Sequence, residues 1–245
     1  MSATLFTGGR LLDPARDELL DGFDVLVVDG RIAEVSEQPI HDAAAQRIDL
    51  GGKTLMPGLI DCHVHVVSTT VDGWANTLAP SSLVALKAGR IMETILQRGF
   101  TTVRDCCGAD LGLVMAIEQG VVDGPRLIIS GKGLTQTGGH CDQRVRTDDR
   151  TEVMEERLGN LGRIVDGVDN VRLAAREELR KGAKFVKIMA NGGVSSPTDP
   201  IHSIQYSRDE IRAIVDEAEN AGTYVSAHVY TDKAIRRSVE CGVHS

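Results

Sequence analysis

Two histidines separated by a single residue, His63 and His65, end an apolar run that begins at Leu59. If this run is a β-strand, both imidazoles point to one face, because strand side chains alternate with a period of two. Neutral imidazole nitrogen is a favoured ligand of zinc and related divalent metals. The spacing predicts half of a metal site, and a chance pair of histidines at a strand end is the alternative.

A lysine, Lys187, interrupts the apolar run Phe185–Met189. Burying an unpaired ammonium is costly, so this lysine is expected to be neutral, paired or covalently altered. A neutral, desolvated amine is nucleophilic and can add carbon dioxide, which gives a carbamate anion able to bridge two metal ions. The alternatives are a lysine that reaches solvent from the strand mouth, or one that pairs with a carboxylate such as Asp105.

His228 lies near the end of a further predicted strand, Tyr224–Val229, and is the next candidate ligand. A lone strand histidine is more often structural, but this one is predicted at the same rim as the other candidates. Tyr230 shares its strand parity and is a candidate catalytic and substrate-binding residue, which would hold a substrate carboxylate or polarise the scissile carbonyl. A rim aromatic without a role is the alternative for Tyr230.

The runs that carry these residues alternate with helical patterns from residue 57 onward, which predicts β/α units and a parallel sheet. The predicted strands are Leu59–Val66, Thr101–Asp105, Arg126–Ser130, Phe185–Met189 and Tyr224–Val229. The predicted helices are Leu83–Arg98, Leu111–Gln119, Val171–Lys181, Arg208–Ala221 and Asp232–Glu240. The polar stretches 131–150 and 191–207 are predicted to be loops over the carboxyl-end rim.

Five such units predict an α/β fold, namely an incomplete (β/α)8 TIM barrel with about five of its eight units. An open doubly wound sheet is the alternative, but the first strand is not followed by a glycine-rich phosphate loop. Residues 1–56 contain short strand-like runs and an Asp29-Gly30 hairpin signal, which predicts part of a small β-sandwich domain. The domains are therefore predicted as 1–56 and 57–245.

Composition narrows the function classes. The 27 basic and 35 acidic residues give a net charge of −8, which disfavours nucleic acid and anionic membranes as partners. No apolar run has the length of a membrane helix, and residues 1–10 do not resemble a signal peptide. We therefore expect a cytoplasmic protein whose five cysteines are reduced.

The run Leu55-Met56-Pro57-Gly58-Leu59-Ile60-Asp61-Cys62-His63-Val64-His65 resembles the amidohydrolase superfamily. The sequence around Lys187, residues 182–194, resembles most closely the prolidase-like group of Xaa-Pro dipeptidases and carboxypeptidases. The resemblance implies two zinc ions, with His63 and His65 on the more buried ion and His228 on the other. Lys187 would be N6-carboxylysine, formed with carbon dioxide, and would bridge the ions.

The resemblance also implies that His140 contacts the substrate and that the loop 196–200 folds over the site. A solvated loop histidine is the alternative for His140. The implied activity is metal-dependent hydrolysis of an amide or peptide bond in a dipeptide or N-acyl amino acid, by hydroxide held between the metals. The full-length enzyme is expected to be a homo-oligomer with a small-molecule substrate.

Family members complete the site with a histidine on strand six and a base aspartate ending strand eight, and neither lies within residues 1–245. These residues alone are therefore expected to be inactive. They are also expected to be poorly stable, because an unclosed barrel exposes strand edges. Two other functions stay open: an imidazolonepropionase-like cyclic amide hydrolase with one metal, and a non-catalytic scaffold or binding subunit.

Overall fold

The computed structural model describes residues 2–16, 18–149 and 154–245. The chain divides into two compact units, residues 1–58 and residues 59–245.

The first unit consists of short strands in two small sheets. The strands are β1 (Ala3–Thr7), β2 (Arg10–Asp13), β3 (Glu18–Asp21), β4 (Asp24–Val28), β5 (Arg31–Ser36), β6 (Gln46–Asp49) and β7 (Thr54–Leu55). One sheet has the order β5-β4-β1-β6 and the other β3-β2-β7. The predicted hairpin at Asp29-Gly30 is confirmed: both residues have positive φ, of 47° and 75°, and they join β4 to its antiparallel partner β5.

The second unit is built from parallel β/α units, as the sequence predicts. Its strands are β8 (Leu59–Val64), β9 (Phe100–Asp105), β10 (Arg126–Ile129), β11 (Gly133–Thr135), β12 (Gly162–Ile164), β13 (Val186–Met189) and β14 (Val225–His228). Its helices are α1 (Gly73–Leu78), α2 (Ser81–Gln97), α3 (Leu111–Glu118), α4 (Val168–Arg180), α5 (Arg208–Asn220) and α6 (Asp232–Glu240). The described part of the chain contains no helix with the length and apolar character needed to cross a membrane.

Every strand pair in this unit is parallel, in the orders β10-β9-β8 and β12-β11-β13-β14. Local signals explain where the helices begin and end. Ser207 and Glu210 form a reciprocal capping box at the start of α5, and Gly182 takes a φ of +104° just beyond the end of α4.

Two expectations about elements are wrong, and two short elements have no counterpart among the predicted ones. The first strand ends at Val64 rather than Val66, so His65 lies just beyond it. The stretch 131–150 is not one loop, because β11 lies within it and pairs with both β12 and β13. Neither β12 nor α1 was predicted, since each is short and has no clear apolar periodicity.

The strand β13 is buried along its whole length. Val186 and Ile188 belong to an apolar cluster with residues of α4 and α5, including Val171 and Ile214. Because strand side chains alternate, the residue between them, Lys187, is directed to the opposite face of the sheet.

Replacing the buried Ile188 by Ala should lower the free energy of unfolding by about 2–5 kcal/mol, through lost apolar burial and the cavity left behind. The control is Val194→Ala, because Val194 is 82% exposed, and its effect should stay within about 0.5 kcal/mol. Urea denaturation followed by circular dichroism measures both. Equal transition midpoints for the two variants would contradict this description of the core.

Candidate metal centre

The four predicted metal ligands line one cavity of about 190 Å³. His140 lines it as well, and Tyr230 is not among its lining residues. Other residues around it include Ser68, Cys107, Cys141, Gln143, Met189 and Ser195. The cavity lies at the carboxyl ends of β8, β13 and β14, which is where a parallel β/α fold gathers its functional side chains.

His63 and His65 lie side by side, although regular strand alternation does not extend across both. The register between β8 and β9 shifts between Asp61 and Val64, and β8 ends before His65. The two rings nevertheless meet edge to face, with their centroids 5.2 Å apart. The backbone N–H of His63 donates to the Asp61 carboxylate at 3.0 Å, which fixes the irregular segment.

Contacts with Cys107 fix the orientation of the His65 ring. Its Nδ1 lies 3.3 Å from the Cys107 carbonyl oxygen and 3.4 Å from the Cys107 Sγ. An imidazole that donates from Nδ1 to a carbonyl keeps its Nε2 lone pair for a metal. Burial is the largest single influence and opposes protonation of His65. The charge and hydrogen bonds of Cys107, together with the charge of Asp105, outweigh burial and raise the pKa of His65 to about 9. Metal binding at this ring would therefore displace a proton.

Asp105 holds the backbone behind these histidines. Its buried carboxylate accepts hydrogen bonds from the backbone N–H groups of Val66 at 2.7 Å, Cys107 at 3.1 Å and Ala109 at 3.3 Å. Burial is the main reason why the pKa of Asp105 rises to about 7. Asp105 forms no ion pair with Lys187, so the pairing considered from the sequence is wrong.

Lys187 is 1% exposed, so a lysine that reaches solvent from the strand mouth is also wrong. Burial lowers the pKa of its amine, although the thiols of Cys107, Cys106 and Cys141 oppose that change. Among the described residues, no carboxylate pairs with this amine. The structure therefore favours a neutral amine that faces the cavity.

His228 stacks on His140, with ring centroids 4.0 Å apart and ring planes 11° from parallel. Its Nε2 lies 3.3 Å from the carbonyl oxygen of Gly192, which leaves Nδ1 to carry the lone pair in the neutral ring. Burial first, and then the charges of His140 and Lys187, lower the pKa of His228 to about 4. Burial and Lys187 likewise lower the pKa of His63. Both rings are thus in the neutral form that binds metals.

His140 is not a solvated loop histidine, which excludes that alternative. It is buried, its Nδ1 lies 2.9 Å from the Asp199 carboxylate, and its backbone N–H donates to Gln205 Oε1. Tyr230 is 54% exposed and packs edge-on against His228, with centroids 4.9 Å apart. It therefore lies at the rim, next to a candidate ligand and outside the cavity lining.

Asn191 is a site residue that the sequence analysis did not single out. Its buried side-chain oxygen accepts from the backbone N–H groups of Tyr230 at 2.8 Å and Thr231 at 2.9 Å. Its amide group donates to the carbonyls of Ile201 and Ser203. It thereby joins the segment after β13 to the segment after β14. A polar residue two positions beyond a buried strand was the available signal.

The donor chemistry of this cavity fits a divalent metal. His63 and His228 are neutral, His65 has one nitrogen anchored and the other free, and Lys187 is a desolvated amine. Within residues 2–16, 18–149 and 154–245, no three His, Cys, Asp or Glu side chains alone form a metal-binding group. His, Cys, Asp and Glu side chains of these residues therefore do not supply a complete ligand set by themselves.

A parallel β/α fold with a nitrogen-lined cavity at its strand ends defines an α/β protein with a candidate metal-dependent active site. The amidohydrolase family matches residues 54–244, so the chain belongs to the amidohydrolase family. Members of this family are generally metal-dependent.

Solved structures and curated relatives agree with this assignment. A prolidase in complex with N-methylphosphonate-L-proline is 52% identical, with a TM-score of 0.97 over 99% of this chain and 60% of the prolidase chain. A Xaa-Pro dipeptidase with bound methionine is 28% identical, with a TM-score of 0.84 over 99% of this chain and 60% of that chain. The ochratoxinase of Aspergillus niger is 37% identical over 203 residues, which are 78% of this chain and 42% of the ochratoxinase. The chain thus spans about half of the length of these relatives.

Replacing Asn191 by Ala should leave the backbone N–H groups of Tyr230 and Thr231 without their acceptor and destabilise the protein by about 1–3 kcal/mol. Asn170→Ala is the matched control, because Asn170 is exposed and its side chain makes one hydrogen bond, to the Asp166 carbonyl. Denaturant midpoints measure both variants. A loss in Asn191→Ala no larger than in the control would show that Asn191 does not hold the site together.

Proposed function

We propose that this chain carries the metal-binding part of an amidohydrolase that cleaves an amide or peptide bond in a small substrate, such as a dipeptide or an N-acyl amino acid. The observation that carries the proposal is the meeting of His63, His65, Lys187 and His228 in one cavity. The similarity to a prolidase and to a Xaa-Pro dipeptidase supports a dipeptide as the substrate class.

We infer that the parallel units are the first five of a (β/α)8 barrel. The strands β8, β9, β13 and β14 follow the order of such a barrel, with β10 and β11 as consecutive parts of its third strand; β12 is an additional short strand beside β11. The residues after α6 already run beside β14: the His244 N–H donates to Val225 O, and the Ala227 N–H donates to Ser245 O. A sixth parallel strand would begin in this position.

The proposal gives each side chain a task. His63 and His65 would hold one metal ion, His228 would hold the second, and Lys187 would hold both after its amine has added carbon dioxide. That addition forms an N–C bond and releases one proton, which turns a neutral donor into an anion. Two zinc ions, when bound, supply Lewis acidity for a carbonyl group and acidify water.

The residues around the donors would bind and orient the substrate. His140 faces the cavity beside His228, and we assign it to substrate contact. Tyr230, at the rim and against His228, would hold a substrate carboxylate or polarise the scissile carbonyl. The buried Met189 and the partly buried Leu161 limit the access of bulk water to this space.

Zinc content tests the role of Lys187. The protein loaded with zinc in the presence of bicarbonate and then dialysed should retain two zinc ions per chain, and Lys187→Ala should retain fewer than one. Lys184→Ala, three residues earlier and exposed, should retain two. Elemental analysis gives the ratio. Undiminished zinc in Lys187→Ala would overturn the carbamate, and a single zinc in the unaltered protein would favour the imidazolonepropionase-like alternative.

Hydrolysis assays on the full-length protein test the reaction class. Xaa-Pro dipeptides and N-acyl amino acids should be cleaved. His63→Asn should lower kcat/KM by more than about 100-fold. Removing a group that only orients a metal ligand typically lowers activity by about 10–100-fold, and removing the ligand itself should cost more. Cys62→Ser, an exposed change in the same strand, should have little effect. Turnover of none of these substrates would favour the scaffold alternative.

A further inference from the structure

Two cysteines, Cys107 and Cys141, lie together on the wall of the cavity, although they come from separate segments of the chain. Cys107 follows the end of β9, and Cys141 lies in the loop after β11. Both residues line the cavity, and both are free thiols. A hydrogen bond joins the two thiols. The cavity therefore contains a pair of reduced sulfur atoms that a small solute can reach.

Two glycines without side chains allow this close approach. Gly133 of β11 and Gly162 of β12 are register partners in a parallel pair. A Cβ at Gly133 would fall 3.2 Å from the Cys107 Cβ. A Cβ at Gly162 would fall 2.7 Å from the Cys141 Cβ. Because partners on neighbouring strands lie only about 5 Å apart, the two cysteines occupy neighbouring positions above these glycines.

The backbone around Cys141 directs its side chain toward Cys107. Cys141 has a φ of +80°, in the left-handed region that residues with a Cβ rarely adopt. Its backbone N–H donates to the Ser196 hydroxyl at 2.9 Å, which stabilises this conformation. A disulfide needs Cβ atoms about 3.5–4.5 Å apart and side chains that point toward each other. Thiols that already share a hydrogen bond have the required direction.

The other three cysteines have different surroundings. The Cys106 thiol donates to the Cys62 carbonyl oxygen at 3.5 Å, and Cys62 itself is exposed. Cys241 belongs to the apolar cluster that contains Val186 and Ile188. None of these three cysteines lines the cavity. The fold thus distinguishes one pair of thiols from the rest.

We propose that Cys107 and Cys141 are a modification site, a dithiol that hydrogen peroxide converts to a disulfide on the cavity wall. The Cys141 sulfur is the less buried of the two and attacks one peroxide oxygen, so that the O–O bond breaks and a sulfenic acid and water form. The Cys107 sulfur then attacks the sulfenic sulfur, so that the S–O bond breaks, the S–S bond forms and a second water leaves. Two thiols are oxidised and one peroxide is reduced.

The disulfide would join the segment after β9 to the loop after β11, and a thiol reductant such as dithiothreitol would reverse it. In reducing compartments, protein disulfides of this kind are usually transient and respond to oxidants. Formation of the bond requires neither a bound metal nor a substrate. The proposal is therefore independent of the proposed hydrolysis.

Peptide mapping after peroxide treatment tests the proposal on the folded protein. The remaining thiols are blocked with N-ethylmaleimide before unfolding, and trypsin then releases residues 105–126 and 133–144, which carry Cys107 and Cys141. Mass spectrometry should find these two peptides linked in most of the protein, and dithiothreitol should separate them. Protein unfolded in urea before the peroxide is added should lose most of this link, because the fold no longer holds the thiols together.

Single substitutions identify the sulfur atoms involved. Residues 105–126 also contain Cys106, so Cys106→Ser should keep the link and Cys107→Ser should lose it. Cys62→Ser, an exposed change, should keep it. Thermal melting checks that each variant folds, and if Cys107→Ser does not fold, the result for Cys106→Ser decides. Absence of the link from the folded protein, its loss in folded Cys106→Ser or its persistence in Cys107→Ser would overturn the proposal.

Discussion

The burial of the Lys187 amine is the constraint on which the rest of the site depends. Val186 and Ile188 must pack against α4 and α5, so strand alternation forces Lys187 to the cavity side, where it is almost completely removed from solvent. A charged ammonium without a counterion is unfavourable there, and its pKa is lowered accordingly. The groups that line the cavity beside Lys187 include imidazoles and cysteine sulfurs. Burial lowers the pKa of His63 and His228, whereas the contacts of His65 with Cys107 raise the pKa of His65 to about 9.

A second layer of oxygen atoms holds this nitrogen-rich lining in place. Asp105 accepts three backbone N–H groups behind His65, Asn191 joins the segments that follow β13 and β14, and Asp199 holds the His140 ring. None of these three lines the cavity. Nitrogen donors thus face the space in which a metal would bind, while carboxylates and amides fix the backbone and the rings around it, as in metal sites generally.

Much of the parallel part of the fold could be predicted, because strands such as β10 and β13 lie in runs rich in apolar residues, and α4, α5 and α6 are amphipathic. The predicted helix 208–221, for example, differs from α5 by a single residue. The strands β11 and β12 could not be predicted, since three residues carry no periodicity and Gly133 and Gly162 begin them. They are defined by their pairing partners, which lie far away in the sequence.

The candidate site also contains some residues that could be predicted from local sequence and others that are defined by distant contacts. His63, His65, Lys187 and His228 could be named because each stands out within or at the end of an apolar run, and the cavity brings them together. The simple argument from strand alternation does not cover His65, which lies past the end of β8. The position of Asn191 just beyond a buried strand is a local signal, but the contacts that make Asn191 and Asp199 important join loops that are distant in sequence.

The presence of Cys107 and Cys141 on the wall of the cavity has a consequence for metal identity. Thiolates prefer soft ions such as Cu(I), and imidazoles accept copper, nickel and cobalt as readily as zinc. The donor atoms by themselves do not single out one element. If the proposed site binds a metal, the element found after purification will therefore reflect the ions supplied during growth and whether the sulfur atoms have remained reduced.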